Sequence, residues 1–143
     1  MKKKLLVSAC LLGTPCRYDG KTKQNAAVCA LGEQYELLPV CPEEMGGLPT
    51  PRTPSERVGE RVLMRDGRDV TAEYRRGAEE ALAIYRREGC CAAVLKARSP
   101  ACGCGAVYDG TFSGALVQRD GVAAELLRAN GARVLTEEEL ALL

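Results

Sequence analysis

The chain has 143 residues, a net charge of +1 and no histidine. That length suits one domain spanning residues 1–143, and the near-neutral charge gives no strong field toward nucleic acid or anionic lipid. The missing histidine excludes imidazole bases and histidine-ligated zinc, and no apolar stretch approaches the ~20 residues that span a bilayer.

The opening "MKKKLLVSAC" imitates a lipoprotein signal, with lysines, an apolar run and small residues before Cys10. A signal core needs roughly 7–15 apolar residues, and Leu5–Ala9 falls short of that. Lys4–Ala9 therefore reads as a first strand running into a glycine-containing loop, and the expected location is the cytoplasm. Lys23–Leu31 has a modest helical pattern, and "ELLPV" is a second strand ending at Cys41. The Gly- and Pro-rich "PEEMGGLPTPRTPSER" is a long loop inside the domain, of the kind that tends to carry function. Arg61–Met64 and Arg68–Val70 flank Asp66-Gly67, the mark of a small hairpin or tight turn.

Ala72–Glu88 is the clearest helix: Thr71 can cap it, Ala78, Ala81, Leu82 and Tyr85 form an apolar stripe, and Gly89 stops it. A third strand covers Ala92–Lys96. A helix at Val122–Ala129 stops at Asn130-Gly131, a strand covers Ala132–Leu135, and Glu137–Leu143 reads as a last helix with Thr136 as its cap. Strands alternating with helices predict an α/β fold, a three-layer arrangement around a mainly parallel sheet.

The eight cysteines (Cys10, Cys16, Cys29, Cys41, Cys90, Cys91, Cys102 and Cys104) are the compositional anomaly. In a secreted chain an even count would point to disulfides. An apolar content of 46% is enough for a core without them, so metal, catalysis or buried filler are the competing roles. Cys29, Cys90 and Cys91 read as filler. Cys10, Cys41 and Cys102 each follow a predicted strand, and in a parallel sheet such loops emerge on one edge, where ligands bind. Three converging thiolates suit a soft metal or an iron–sulfur cluster better than a structural zinc, which closes with close-spaced ligand pairs. The same loops carry Arg17, Tyr18, Asp19, Glu43, Glu44, Arg98, Ser99, Tyr108 and Asp109. Asp19-Gly20 and Asp109-Gly110 can be plain turns, and Arg17, Arg52 and Arg98 can be solvated charge. With no histidine, a carboxylate beside the thiols is the natural proton-handling group.

"VSACLLGTPCRYDG", "PVCPEEMGGLPTPRTPSE" and "LKARSPACGCGAVYDGTFSG" resemble the three signature segments of the thiouracil desulfurase family, and the resemblance covers nearly the whole chain. It implies a Rossmann-like α/β domain with a 4Fe-4S cluster held by three cysteines, its fourth iron open. The implied activity is removal of sulfur from 2-thiouracil or a related thiolated pyrimidine, a small molecule, with release of sulfide and no net redox change. Cys10, Cys16, Cys41 and Cys102 match family cysteines. Cys10, Cys41 and Cys102 are carried over as ligands and Cys16 as their rival. Glu43 and Ser99 match polar positions beside the cluster and are the catalytic candidates, with Arg17, Tyr18 and Asp19 as substrate-binding candidates. Cys104 departs from the pattern and makes a Cys-Gly-Cys, a potential fourth ligand that would close the open iron. Competing readings are a thiolated nucleoside or tRNA as substrate, a non-catalytic iron–sulfur redox or sensor protein, and a zinc structural protein.

Overall fold

A computed structural model describes residues 2–143. Four parallel strands form the central sheet in the order β2-β1-β5-β8: β1 Lys3–Ser8, β2 Tyr35–Val40, β5 Ala92–Leu95 and β8 Val134–Thr136. The first strand is central, with Leu5 paired to Leu37 on one side and Ala92 on the other. Leu5, Leu6 and Val7 are fully buried, as a strand covered on both faces requires. Each contributes about 1.5–3 kcal/mol by burial.

The period of two sorts side chains into two cores. Leu6, Ala93, Leu95 and Val134 face α3 (Thr71–Glu88) and α4 (Val122–Ala129), meeting Tyr74, Ala81, Leu82, Ala124 and Leu127. Leu5, Val7, Ala92 and Val94 face the other way, onto Val28 of α1 (Ala26–Ala30) and onto Leu31, Leu140 and Leu143. This is the expected three-layer, Rossmann-like α/β arrangement.

Several boundaries differ from the sequence reading. The helix expected over Lys23–Leu31 is confined to α1, because the Asn25 side chain accepts the Val28 N–H and starts it late. Residues before it are committed elsewhere: Lys23 N donates to the Cys10 carbonyl and Asn25 N to that of Leu11. The expected C-terminal helix over Glu137–Leu143 is only a 3-10 turn at Leu140–Leu142. The Glu139 carboxylate accepts the Thr136 N–H and the Thr136 hydroxyl accepts that of Glu138, but the Glu137 carboxylate is drawn back to the Ala97 N–H and to Lys96.

Asp66-Gly67 takes the tight-turn form of the two expected there, and the longer pairing of Arg61–Met64 is with a strand not expected. Strand β4 (Arg61–Met64) pairs antiparallel with β3 (Ser55–Val58), hidden in the Pro-rich loop. Asp66-Gly67 is a tight turn after it, and the segment beyond makes one bridge, Leu63 to Asp69. Thr71 does not cap α3; its hydroxyl accepts the Val62 N–H and donates to Asp69. A two-strand ribbon, β6 (Val107–Tyr108) with β7 (Leu116–Val117), completes the fold.

One close approach positions the site. The short helix α2 (Pro42–Met45) lies backbone to backbone on α3. A Cβ on Gly77 of α3 would stand 1.7 Å from the Pro42 carbonyl oxygen, and one on Gly46 would stand 1.9 Å from that of Glu73. Only glycine at both places lets α2 sit this low, which brings Glu43 within reach of Tyr74.

Candidate metal centre

The cleft lies at the carboxyl edge of the parallel sheet and encloses about 520 Å³. Its walls include Cys10, Cys16, Cys41 and Cys102. Cys10 lies in the 3-10 turn Ala9–Leu12 that follows β1, and Cys41 separates β2 from α2. Cys102 lies in the loop after β5.

Three of these thiols form one contact group. The Cys16 thiol has those of Cys10 and Cys41 as neighbours, and Cys41 Sγ lies 3.8 Å from the Cys16 carbonyl oxygen. The contact with Cys10, ahead of burial, pushes the Cys16 thiol up to about 11. The Cys41 thiol is raised too, by its contact with Cys16 and then by burial.

Cys102 is held differently. Its loop carbonyls accept the first N–H groups of α4: Gly121 donates to Gly103, Val122 to Pro100 and Ala123 to Ala101, at 2.6, 2.9 and 2.8 Å. A Cβ on Gly121 would stand 2.6 Å from the Ala101 carbonyl carbon. Ser99 Oγ accepts the Ala101 and Cys102 N–H groups at 3.2 and 3.1 Å, and the Ser8 and Ser99 hydroxyls reach the Cys102 sulfur. Burial pushes this thiol up to about 12.

Glu43 projects from α2 into the same cleft. Its Oε2 accepts from Arg52 Nε and the Tyr74 hydroxyl, each at 2.9 Å, and Arg52 Nη2 stands 2.9 Å away as the ion-pair partner. Oε1 has no hydrogen-bond partner among the described residues. The Arg52 side chain is 3% exposed, so it is not the solvated charge the sequence allowed. Burial opposes its charge, but Glu43 more than offsets this and its pKa stays above the ordinary value. Arg52 also donates to the Cys16 carbonyl at 3.0 Å, tying the Cys16 loop to α2. Tyr74 is raised well above a normal phenol by burial and by the Glu43 charge.

Arg52 and Tyr74 were not legible as site residues. The only trace of Tyr74 is its place four residues before Ala78 on the α3 stripe. Of the substrate-binding candidates, Arg17 and Tyr18 line the cleft. Asp19 is not among the lining residues; its carboxylate accepts the Lys21 N–H at 2.9 Å and shapes the turn. The Cys104 thiol lies outside the cleft, 3.6 Å from the Val134 carbonyl oxygen. Cys90 is buried filler, but Cys91 is exposed, its N–H spent on the Lys4 carbonyl.

Among the described residues, no three acidic or thiol side chains surround one point as a single metal ion needs. A cubane cluster asks for something else, since its thiolates bind different irons. Soft donors at separated points of one cleft, with room beside them, fit that group. Thiols kept protonated in its absence release protons on binding it.

The comparisons agree with this geometry. The 2-thiouracil desulfurase family matches residues 5–139. An uncharacterised protein of Bacillus subtilis (strain 168), YbbK, is 38% identical over 95% of this chain and 97% of its own length. A solved structure of the 4Fe-4S-dependent thiouracil desulfidase TudS is 48% identical, with a TM-score of 0.94 over 99% of this chain and 95% of its own. The match across nearly all of the fold, with the thiol-lined cleft at its sheet edge, means that this chain belongs to the 2-thiouracil desulfurase family.

Proposed function

We propose that this protein removes sulfur from 2-thiouracil or a closely related thiolated pyrimidine with the help of a 4Fe-4S cluster. The overall change is hydrolytic: the ring C=S bond and water become C=O and hydrogen sulfide, with no electrons exchanged. The observation that carries this reading is four family-matched cysteines lining one cleft beside a carboxylate with a free oxygen.

Cys10, Cys41 and Cys102 are the proposed ligands, the first two just past the ends of β1 and β2 and the third in the loop after β5. Cys16 stays the rival because it touches Cys10 and Cys41. When bound, such a cluster with one open iron supplies a soft Lewis acid for the thiocarbonyl sulfur.

The protein's own groups handle water and protons. Arg52 and Tyr74 occupy Glu43 Oε2 and leave Oε1 to accept a proton from the attacking water. That proton returns to the departing sulfur. The Ser99 oxygen already accepts two N–H bonds and its hydroxyl reaches the Cys102 sulfur, so its proton serves the ring only when it turns from that sulfur. Eight free cysteines support the cytoplasm as the working compartment.

The test is anaerobic reconstitution followed by iron and acid-labile sulfide analysis, then sulfide release from 2-thiouracil. About four iron per chain and steady sulfide release are expected; no sulfide from fully loaded protein overturns the reading. Glu43→Gln should lower kcat by about 10²-fold or more while cluster absorbance stays native. Unchanged turnover removes Glu43 from the mechanism.

A further inference from the structure

The loop joining β6 to β7, Asp109–Gly114, carries the chain's single phenylalanine, and Phe112 is half-buried in the wall of the cleft. Its φ is 56°, in the left-handed region that large side chains avoid. Such a conformation persists only where the surroundings hold it. Here they do. The Glu56 carboxylate, on a residue 9% exposed, accepts the Gly110 N–H at 2.9 Å and the Phe112 N–H at 3.1 Å through the same oxygen. Glu56 comes from β3, the strand hidden in the Pro-rich loop, and itself lines the cleft.

Arg65, which also lines the cleft, lies over one face of the ring, its guanidinium carbon 5.5 Å from the centroid. A cation on one face leaves the other for a second partner. The cleft's three other aromatics, Tyr18, Tyr74 and Tyr108, each carry a polar hydroxyl and serve less well. Tyr74 is buried with its hydroxyl on Glu43. Tyr18 is 41% exposed at the rim, with Arg17 over its ring. Phe112 has no polar tip to hydrate, so a strained backbone, a buried carboxylate and a cation together hold one flat apolar surface against the cleft.

Resting on the desulfurase reading, we propose that Phe112, pinned by Glu56, is the stacking wall for the planar heteroaromatic ring of the substrate. Stacking on an aromatic side chain is indifferent to whether the ring carries sulfur or oxygen. The wall therefore sets affinity for flat pyrimidines as a class, and Glu43 and the thiol cluster select the thiolated ones.

The experiment measures 2-thiouracil kinetics on loaded protein and, by calorimetry, uracil binding to the same protein. Phe112→Ala should raise KM and weaken uracil binding about tenfold, with kcat reduced far less. Phe112→Tyr should stay near wild type, and Phe112→Leu should resemble Phe112→Ala if aromaticity rather than bulk is what matters. Glu56→Ala should weaken uracil binding too. It should also let chymotrypsin cut after Phe112 faster than in wild type, where uracil slows the cut. Wild-type turnover with an unchanged KM and uracil affinity in Phe112→Ala overturns the stacking wall alone. Fully loaded wild type that releases no sulfide from 2-thiouracil overturns the desulfurase reading instead. A Phe112→Leu variant that behaves as wild type replaces stacking by simple apolar contact and also overturns the proposal.

Discussion

The two sides of the cleft hold their thiols by opposite means. On one side Cys10, Cys16 and Cys41 touch each other, and loop-to-helix contacts through Arg52 keep them together. On the other, Cys102 stands apart on a loop whose carbonyls cap α4. The first arrangement depends on side chains and one buried ion pair; the second depends on backbone. Side-chain contacts can re-form when a ligand arrives, whereas a capped loop presents its sulfur in one place. The contrast fits the proposed cluster site, adaptable on one wall and fixed in register on the other.

The difference can be broken from either side. Arg52→Leu strikes the first wall. It leaves the Glu43 carboxylate without its cation and the Cys16 carbonyl without its donor. Removing one partner of a buried ion pair costs about 3–5 kcal/mol; Glu43 is 16% exposed, so about 3 kcal/mol is expected in urea unfolding of the apo-protein. Retained stability would mean that the Tyr74 contact suffices. Gly121→Ala strikes the second wall by driving a methyl into the Ala101 backbone. A loss of about 1–3 kcal/mol is expected, together with reduced iron uptake and an unaltered Cys10–Cys16–Cys41 group. Iron uptake equal to wild type would show that the loop need not be held.

The alkaline limb sharpens the comparison further. In the folded apo-protein burial holds Cys102 protonated up to about 12, while an unfolded cysteine releases its proton near ~8.5. Between those values the folded state binds the extra proton, so stability falls as pH rises and is intact below ~8.5. Cys16, raised to about 11, acts in the same direction. Reduced apo-protein should therefore lose stability steadily above pH ~8.5, and Cys102→Ala should make the decline shallower. An identical slope would locate the effect in the Cys10 side alone. The smallest effect belongs to Cys91→Ser, exposed and remote from the cleft. It should change stability by less than about 0.5 kcal/mol and leave iron content unchanged.

Much of the scaffold was legible because it rests on local chemistry. The four sheet strands show as short apolar runs, and α3 shows as a stripe with a glycine stop. The strand-to-cysteine junctions follow from both. Strand β3 was not legible, since "TPSERV" carries a proline and charges and pairs only because β4 and the cleft lining receive it. The small hairpin or tight turn expected at Asp66-Gly67 is present as a tight turn closing one bridge, and the longer pairing of β4 lies upstream. The three residues expected to bind substrate part company in the structure. Arg17 and Tyr18 reach the cleft, but Asp19 spends its carboxylate on a turn two residues away, a local bond that outcompetes a distant ligand.

Sequence alone determined the layer architecture, the parallel sheet and which cysteines follow strands, because periodicity and chain stops are read from neighbours a few residues apart. It also marked Glu43 as a proton-handling candidate, since the chain has no histidine. Tertiary structure alone decided that Arg52 is buried on Glu43, that Tyr74 shares that carboxylate, that Cys104 turns away from the cleft, and that Glu56 holds the Phe112 loop. Each of these joins residues far apart in the chain: 9 residues for Arg52 with Glu43, 31 for Tyr74 with Glu43, 30 for Cys104 with Val134 and 56 for Phe112 with Glu56. No periodicity encodes such pairs. All but the Cys104 contact arise where the glycine contact of α2 with α3 and the pairing of β3 with β4 bring separate segments to one cleft.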